Sequence, residues 1–168
     1  MEHPISTRRL SRSDASIYRE LRLEGLETEP SAFGASLNEE ANQPLTWFEN
    51  RLDTNIVFGA FVKEVTLVGV VGLHIPSAIK TCHKGEIWGM FIKPAVRGSG
   101  VGKTLMACIA QHAERVVEEI LLTVVSSNTV AVGMYKNLGF EEYVRERRAL
   151  KVGTNYEDEL LMVLSFRK

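Results

Sequence analysis

The run Arg97-Gly98-Ser99-Gly100-Val101-Gly102-Lys103-Thr104 carries the clearest chemical signal in this sequence. It follows an apolar segment, Ile87 to Ile92, and opens an Ala-rich stretch of helical character. A glycine-rich turn between a strand and a helix is suited to hold a phosphate. Backbone that lacks Cβ atoms can approach an anion closely, and the first N–H groups of a helix have no partner inside it. The helix dipole adds partial positive charge at the same end. Glycine inside a helix costs up to about 1 kcal/mol relative to alanine. Glycines at 98, 100 and 102, directly before a helical run, therefore argue for a ligand or a close backbone contact over an incidental helix start.

Three phosphate-loop patterns compete for these residues. A Walker A loop reads G-x-x-x-x-G-K-[ST]. Gly102-Lys103-Thr104 fits its tail, but Arg97 stands where its first glycine belongs. The dinucleotide fingerprint G-x-G-x-x-G fits at Gly98 and Gly100 and fails at Lys103, and this loop lies past mid-chain. The pattern [Q/R]-x-x-G-x-[G/A] is met in full by Arg97, Gly100 and Gly102.

A second run, Asn128-Thr129-Val130-Ala131-Val132-Gly133-Met134-Tyr135-Lys136-Asn137-Leu138-Gly139-Phe140, lies one strand further on. On local grounds Asn128 can cap a helix, Tyr135 can fill a core, and Gly139-Phe140 can stop the helix and anchor the next strand. With the loop, it resembles the GNAT acetyltransferases, whose signatures are [Q/R]-x-x-G-x-[G/A] and N-x-x-A-x-x-x-Y-x-x-x-G-F. Both hold here at every specified position, in the family's order.

The resemblance implies acetyl-CoA as donor and an amine as acceptor. Two parallel strands, Glu86–Ile92 and Ile120–Val125, would splay at their C-terminal ends. The pantetheine arm would lie in that gap along the backbone of Met90, Phe91 and Ile92. Arg97 and the amides of Gly98, Ser99, Gly100, Val101, Gly102 and Lys103 would take the pyrophosphate, with Asn128 and Tyr135 completing the cofactor site. Transfer to an amine requires the amine to lose a proton, the oxyanion to be stabilised and the thiolate to be protonated. Tyr135 resembles the family's general acid. Glu86 is the candidate base: it precedes Arg97 by eleven residues, the spacing of the catalytic glutamate in the histone-acetyltransferase branch. A solvated charge at a strand start is the competing account of Glu86, and His74, His83 or a water are competing bases. Arg22, Glu24, Phe33, Trp47 and Tyr156 could line the acceptor side, with Phe33 closing over the substrate. Nothing demands a covalent acyl-enzyme, since Cys108 falls on a helix and Cys82 in a loop.

These residues need a frame. Ile5–Leu10 reads as a strand, Asp14 to about Glu27 as a helix, 31–43 as a loop, and Pro44–Leu52 as a helix entered through proline. Ile56–Val62 and Thr66–Ile75 read as a hairpin. Glu86–Ile92 is a strand, Gly100–Val117 a helix, Ile120–Val125 a buried strand, and Thr129–Leu138 a helix. Phe140–Leu150 and Glu159–Phe166 are the final strands. The order β-α-α-β-β-β-α-β-α-β-β predicts an α/β GNAT fold: one mixed sheet of about seven strands with about four helices on both faces. The whole of 1–168 is expected to be a single N-acetyltransferase domain.

Composition narrows the setting. The chain has 168 residues, 45% hydrophobic and 24% charged, with 20 Lys and Arg against 21 Asp and Glu and a formal net charge of −1. That balance gives no overall field for nucleic acid or an anionic membrane. The stretch Val65–Ile75 is too short and too interrupted to span a bilayer. The first residues show no signal-peptide character, and two cysteines suggest no disulfide framework, so the cytoplasm is the expected compartment. No metal is implied, and a homodimer is compatible with the fold.

The leading expectation is an acetyl-CoA-dependent N-acetyltransferase acting on a primary amine of a small molecule through a ternary complex. The alternatives are a protein or peptide N-acetyltransferase, a non-catalytic CoA-binding module, and a P-loop phosphotransferase, which would need a glycine at 97.

Overall fold

Leu67 to Leu73 is apolar on both faces of a strand. A strand of that kind needs cover on both sides, and the computed structural model, which describes residues 4–167, supplies it. The strands are β1 (Ile5–Arg9), β2 (Ile56–Val62), β3 (Thr66–His74), β4 (Lys84–Ile92), β5 (Glu119–Val125), β6 (Glu141–Val152) and β7 (Asn155–Ser165). They form one seven-stranded mixed sheet in the order β1-β2-β3-β4-β5-β7-β6. Among the described residues only β4 and β5 pair in parallel.

Helices α1 (Ala15–Thr28), α2 (Leu37–Ala41) and α3 (Leu45–Thr54) lie on one face, and α4 (Val101–Ala113) and α5 (Thr129–Asn137) on the other. The first layer packs Tyr18, Leu21, Leu26, Phe48 and Leu52 against Val57, Phe61, Val70 and Phe91. The second packs Leu105, Met106, Ile109 and Tyr135 against Val71, Leu73, Ile120, Leu122 and Met162. Each large side chain removed from water contributes roughly 1.5–3 kcal/mol. This is the α/β arrangement expected from the sequence, with five α-helices among the described residues instead of about four.

The extra helix is α2. It lies in the segment 31–43, which reads as a loop in the sequence because a five-residue helix shows no periodicity. A 3-10 turn at Pro30–Ala32 precedes it. Ser36 then starts it with a capping box: its Oγ accepts the Glu39 N–H at 3.3 Å, and the Glu39 carboxylate accepts the Ser36 N–H at 2.9 Å. The helix behind the glycine loop ends at Ala113 rather than Val117, because Val116 and Val117 turn back onto the Ala113 carbonyl. The last hairpin is longer than expected, with β7 starting at Asn155 instead of Glu159. No helix of the described residues is long and apolar enough to cross a membrane.

Replacing Ser36 with alanine removes the cap on which α2 depends. The expected loss is about 1 kcal/mol, read as a fall in Tm of about 2–4 °C for a chain of this size.

Candidate active site

The sheet is incomplete at its centre. β4 and β5 pair only at Lys84–Glu119, Gly85–Ile120 and Glu86–Leu121. Past these, β5 stays paired with β7 to its end, whereas Ile87 to Ile92 of β4 have only β3 beside them. At the point of parting β4 bulges. Trp88 pairs with Gly72 and Phe91 with Val70, so Gly89 and Met90 together face the single residue Val71. Gly89 has φ +62°, a conformation open to glycine and costly for other residues. Such a bulge bends and twists a strand, and here it accompanies the departure of β4 from β5.

The glycine loop stands where β4 ends. Gly98 and Gly100 have φ of +78° and +85°, and a Cβ built on either meets nothing within 4 Å. Their glycine character therefore serves the path of the chain and leaves the space above the loop free. Gly100 caps α4, with no side-chain cap and no acidic residue in the first turn. The first-turn N–H groups are thus left to an external acceptor. Ser99 Oγ donates to the Val96 carbonyl at 2.6 Å, which braces the loop from within. Val101 is buried in the core, so only its backbone can serve a ligand. Lys103 is exposed. Arg97 turns away from the loop: its Nε donates to the Ile92 carbonyl at 2.9 Å and its other end pairs with Glu29. Its side chain therefore fastens the loop to the end of β4 and to the end of α1.

Across the gap, the Tyr135 hydroxyl donates to the Met90 thioether sulfur at 3.3 Å. Tyr135 sits edge-on to Phe140, 5.8 Å between centroids. Burial pushes its phenol up to about 12, so it keeps its proton at ordinary pH. A protonated hydroxyl aimed at sulfur is suited to donate a proton there. Asn128 caps α5, its Oδ1 accepting the Ala131 N–H at 3.2 Å. This is the structural role that its sequence position allowed, and it leaves Nδ2 as a donor.

On the α1–α3 face, Glu86 lies opposite His74 in the β3–β4 pair. Both line a cavity of about 260 Å³ with Arg51, Asn55 and Trp88. His74 Nδ1 is 3.3 Å from Asn55 Oδ1. His83 precedes β4, at the end of the strand away from the bulge, and lines a different depression with Cys82 and Phe166. Phe33 is buried against Phe91, beneath the Arg22 guanidinium, and belongs to the core instead of covering a substrate. Glu24 pairs with Lys93 at 3.0 Å. Tyr156 lies at the end of the last hairpin, under Arg148. Trp47 stacks on Arg51 beside the cavity.

Of the charges beneath this cavity, sequence reasoning singled out Arg22 but missed Glu40 and Arg51. Glu40, 3% exposed, accepts two bonds from Arg22 at 2.9 Å and is reached by Arg51 Nη1 at 3.2 Å. Burial alone would push the Glu40 carboxyl up, but the two guanidiniums hold it below the usual carboxylate range. A signal was available: Arg22 and Arg51 fall within the helical stripes Tyr18–Leu21–Leu26 and Phe48–Leu52. A second carboxyl, Glu159, shares the Glu86 face through its pairing with Val125. Burial, and the facing Glu146, push it up.

Comparison with known proteins matches residues 17–140 to the acetyltransferase (GNAT) family. A mycothiol acetyltransferase of Saccharomonospora viridis is 29% identical over 121 residues, covering 67% of this chain and 37% of that protein. The chain spans only 18% to 37% of the length of the curated relatives it matches. Among solved structures, a GNAT-family acetyltransferase from Streptococcus pneumoniae superposes with a TM-score of 0.85 at 21% identity, covering 96% of this chain and 99% of the other. A protein of Salmonella typhimurium, solved with its cofactor acetyl-CoA, gives 0.81 at 16% identity over 98% and 95% of the two chains. At these identities the two structures speak to the fold.

Replacing Glu40 with glutamine leaves the buried Arg22 guanidinium and the partly exposed Arg51 guanidinium without a counter-charge. Loss of one partner from a buried ion pair costs about 3–5 kcal/mol. Because the folded-state carboxyl is depressed, its stabilisation is present above the ordinary carboxylate value and is lost as pH falls through the depressed one. Denaturant unfolding at neutral pH should show the full difference between the variant and the parent, and the difference should shrink on acidification.

Proposed function

The chain belongs to the acetyltransferase (GNAT) family, and from that premise we propose that residues 1–168 act as a single transferase domain that moves an acetyl group from acetyl-CoA to a primary amine. The observation that carries the reading is the parted β4–β5 pair, with the Tyr135 hydroxyl held on a sulfur inside the gap and the glycine loop at its open end. Acetyl-CoA supplies the activated acyl group. The loop amides from Gly98 to Lys103 bind its pyrophosphate, with Arg97 acting as the strut that keeps the loop in place. The side of β4 that has lost β5, along Met90, Phe91 and Ile92, takes the extended arm beside it, with the Ile92 carbonyl already held by Arg97. Asn128 shapes the opposite bank through its cap on α5.

In the reaction the amine nitrogen forms a bond to the acetyl carbon as the carbon–sulfur bond breaks. Glu86, exposed to the acceptor cavity, takes the amine proton directly or through water, and Tyr135 gives its proton to the departing sulfur. Glu86 is favoured over His83 as base because it lines the cavity beside the bulge, and over His74, on the same cavity, because the His74 Nδ1 is engaged with Asn55. The acceptor is read as a small molecule because the side chains that could recognise it, Arg51, Asn55, His74, Glu86 and Trp88, gather round one cavity of about 260 Å³.

Thiol release from acetyl-CoA with a panel of amines tests this reading. Tyr135→Phe and Glu86→Gln should each lower kcat about 10²-fold, the lower end of what a positioned acid or base contributes. The proton assigned to Tyr135 should remain available until pH approaches about 12. If neither variant changes turnover of any acceptor, the roles given to both residues fail. Calorimetric titration should show binding of acetyl-CoA, and tight ATP binding without CoA binding would overturn the donor assignment.

A further inference from the structure

The acceptor cavity has more built into it than a base. Beneath it, two arginines share one carboxylate. Arg22 occupies Glu40 with both Nε and Nη2, and Arg51 reaches the same group through Nη1 alone. The cluster keeps one positive charge in excess, in a region where charge is costly unless it is met. The excess shows in unpaired donors. Arg22 Nη1 is buried with no hydrogen-bond partner, on a side chain only 7% exposed. That nitrogen lies 3.3 Å from where a Cβ on Gly89 would stand, beside the bulge at which β4 leaves β5.

Arg51 is the part of the cluster that a ligand can reach. Its side chain is 20% exposed and lines the cavity. It is confined between two indoles, with its guanidinium carbon 4.0 Å from the Trp47 ring centroid and 5.1 Å from that of Trp88. A guanidinium fixed in this way presents its donors in a set plane, the geometry that suits a carboxylate. Glu86 stands on the same cavity with the opposite charge, and His74 and Asn55 line it too as a polar pair. The cavity therefore offers an anion and a cation at once, within a volume suited to a compact ligand.

We propose that the acceptor carries a carboxylate beside its amine, as an α-amino acid does, and that Arg51, backed by Arg22, receives the carboxylate while Glu86 faces the amine. The proposal rests on the reading that an amine is acetylated here. It adds a specificity-determining residue, Arg51, which does not touch the reacting atoms. An amine of the same size without the carboxylate leaves the excess charge unmet and loses a charged hydrogen bond, a difference of about ten- to a hundredfold in affinity.

The test uses the full chain with acetyl-CoA and matched acceptor pairs: an α-amino acid, and the amine left when its carboxylate is removed. The amino acid should be favoured in kcat/KM by about ten- to a hundredfold. In Arg51→Met, which keeps Glu40 paired with Arg22, that ratio should fall towards one through a rise in KM for the amino acid, and Arg51→Lys should recover part of it. A binding readout stands apart from turnover, because the chain has two tryptophans, Trp47 and Trp88, and both flank Arg51. Amino acids should change tryptophan emission, and their decarboxylated partners should not do so at the same concentration. Equal or better turnover of the decarboxylated amines overturns the anion site and leaves acetyl transfer standing. Emission changes without transfer from acetyl-CoA to any member of the panel leave the anion site and remove the amine-transfer reading. Neither emission change nor turnover removes both.

Discussion

A strand that loses its neighbour must place its backbone polar groups elsewhere, because a buried N–H or C=O without a partner is costly. That constraint governs the centre of this molecule. β4 runs on from Ile87 to Ile92 after its pairing with β5 has ended at Glu86. The surrounding features sit on this break. The bulge at Gly89 and Met90 lets β4 diverge while it stays joined to β3. Tyr135 and Met90 meet across the divide through a hydroxyl–sulfur contact, a weak bond that is readily exchanged for another sulfur acceptor. Arg97 ties the open end of β4 to the glycine loop, so that the loop and the break keep a fixed relation.

The second organising element is electrostatic. Glu40 gathers Arg22 from α1 and Arg51 from α3, and so joins the three helices that cover one face of the sheet. Buried pairs of this kind add little net stability compared with apolar packing, and their attested use is to fix a register. Here the register is that of α2, a helix too short to hold itself in place, relative to the cavity lined by Arg51 and Glu86. The aromatic rings of Phe33, Trp47 and Trp88 stack around the guanidiniums and limit their freedom.

How legible each feature was in the sequence depends on how it is encoded. Periodicity located the strands and long helices, because burial of a face demands it, and the near-continuous apolar run Ile120–Val125 marked a buried strand for the same reason. The glycine loop and the Asn128–Phe140 run were legible because their residue types answer to backbone geometry: positive φ at Gly98 and Gly100, a cap at Asn128, a helix stop at Gly139. Helix α2 was not legible, since its start depends on a local hydrogen-bond exchange between Ser36 and Glu39. The Glu40 cluster was hidden because its members come from three separate elements, and charged residues default to the surface in any single-sequence reading. Phe33 was misread for a related reason: a loop position says nothing about which core a side chain reaches.

One close contact couples the two strands that carry this cavity. The Trp88 ring lies directly on Gly72 of the neighbouring strand, where a Cβ would come within 2.4 Å of the indole. Neither position can drift alone. A side chain at 72 would expel the indole from beneath the acceptor cavity, and a smaller residue at 88 would leave a hollow that glycine cannot fill. Positions 72 and 88 therefore act as one steric unit across two strands, and a change at either calls for a compensating change at the other.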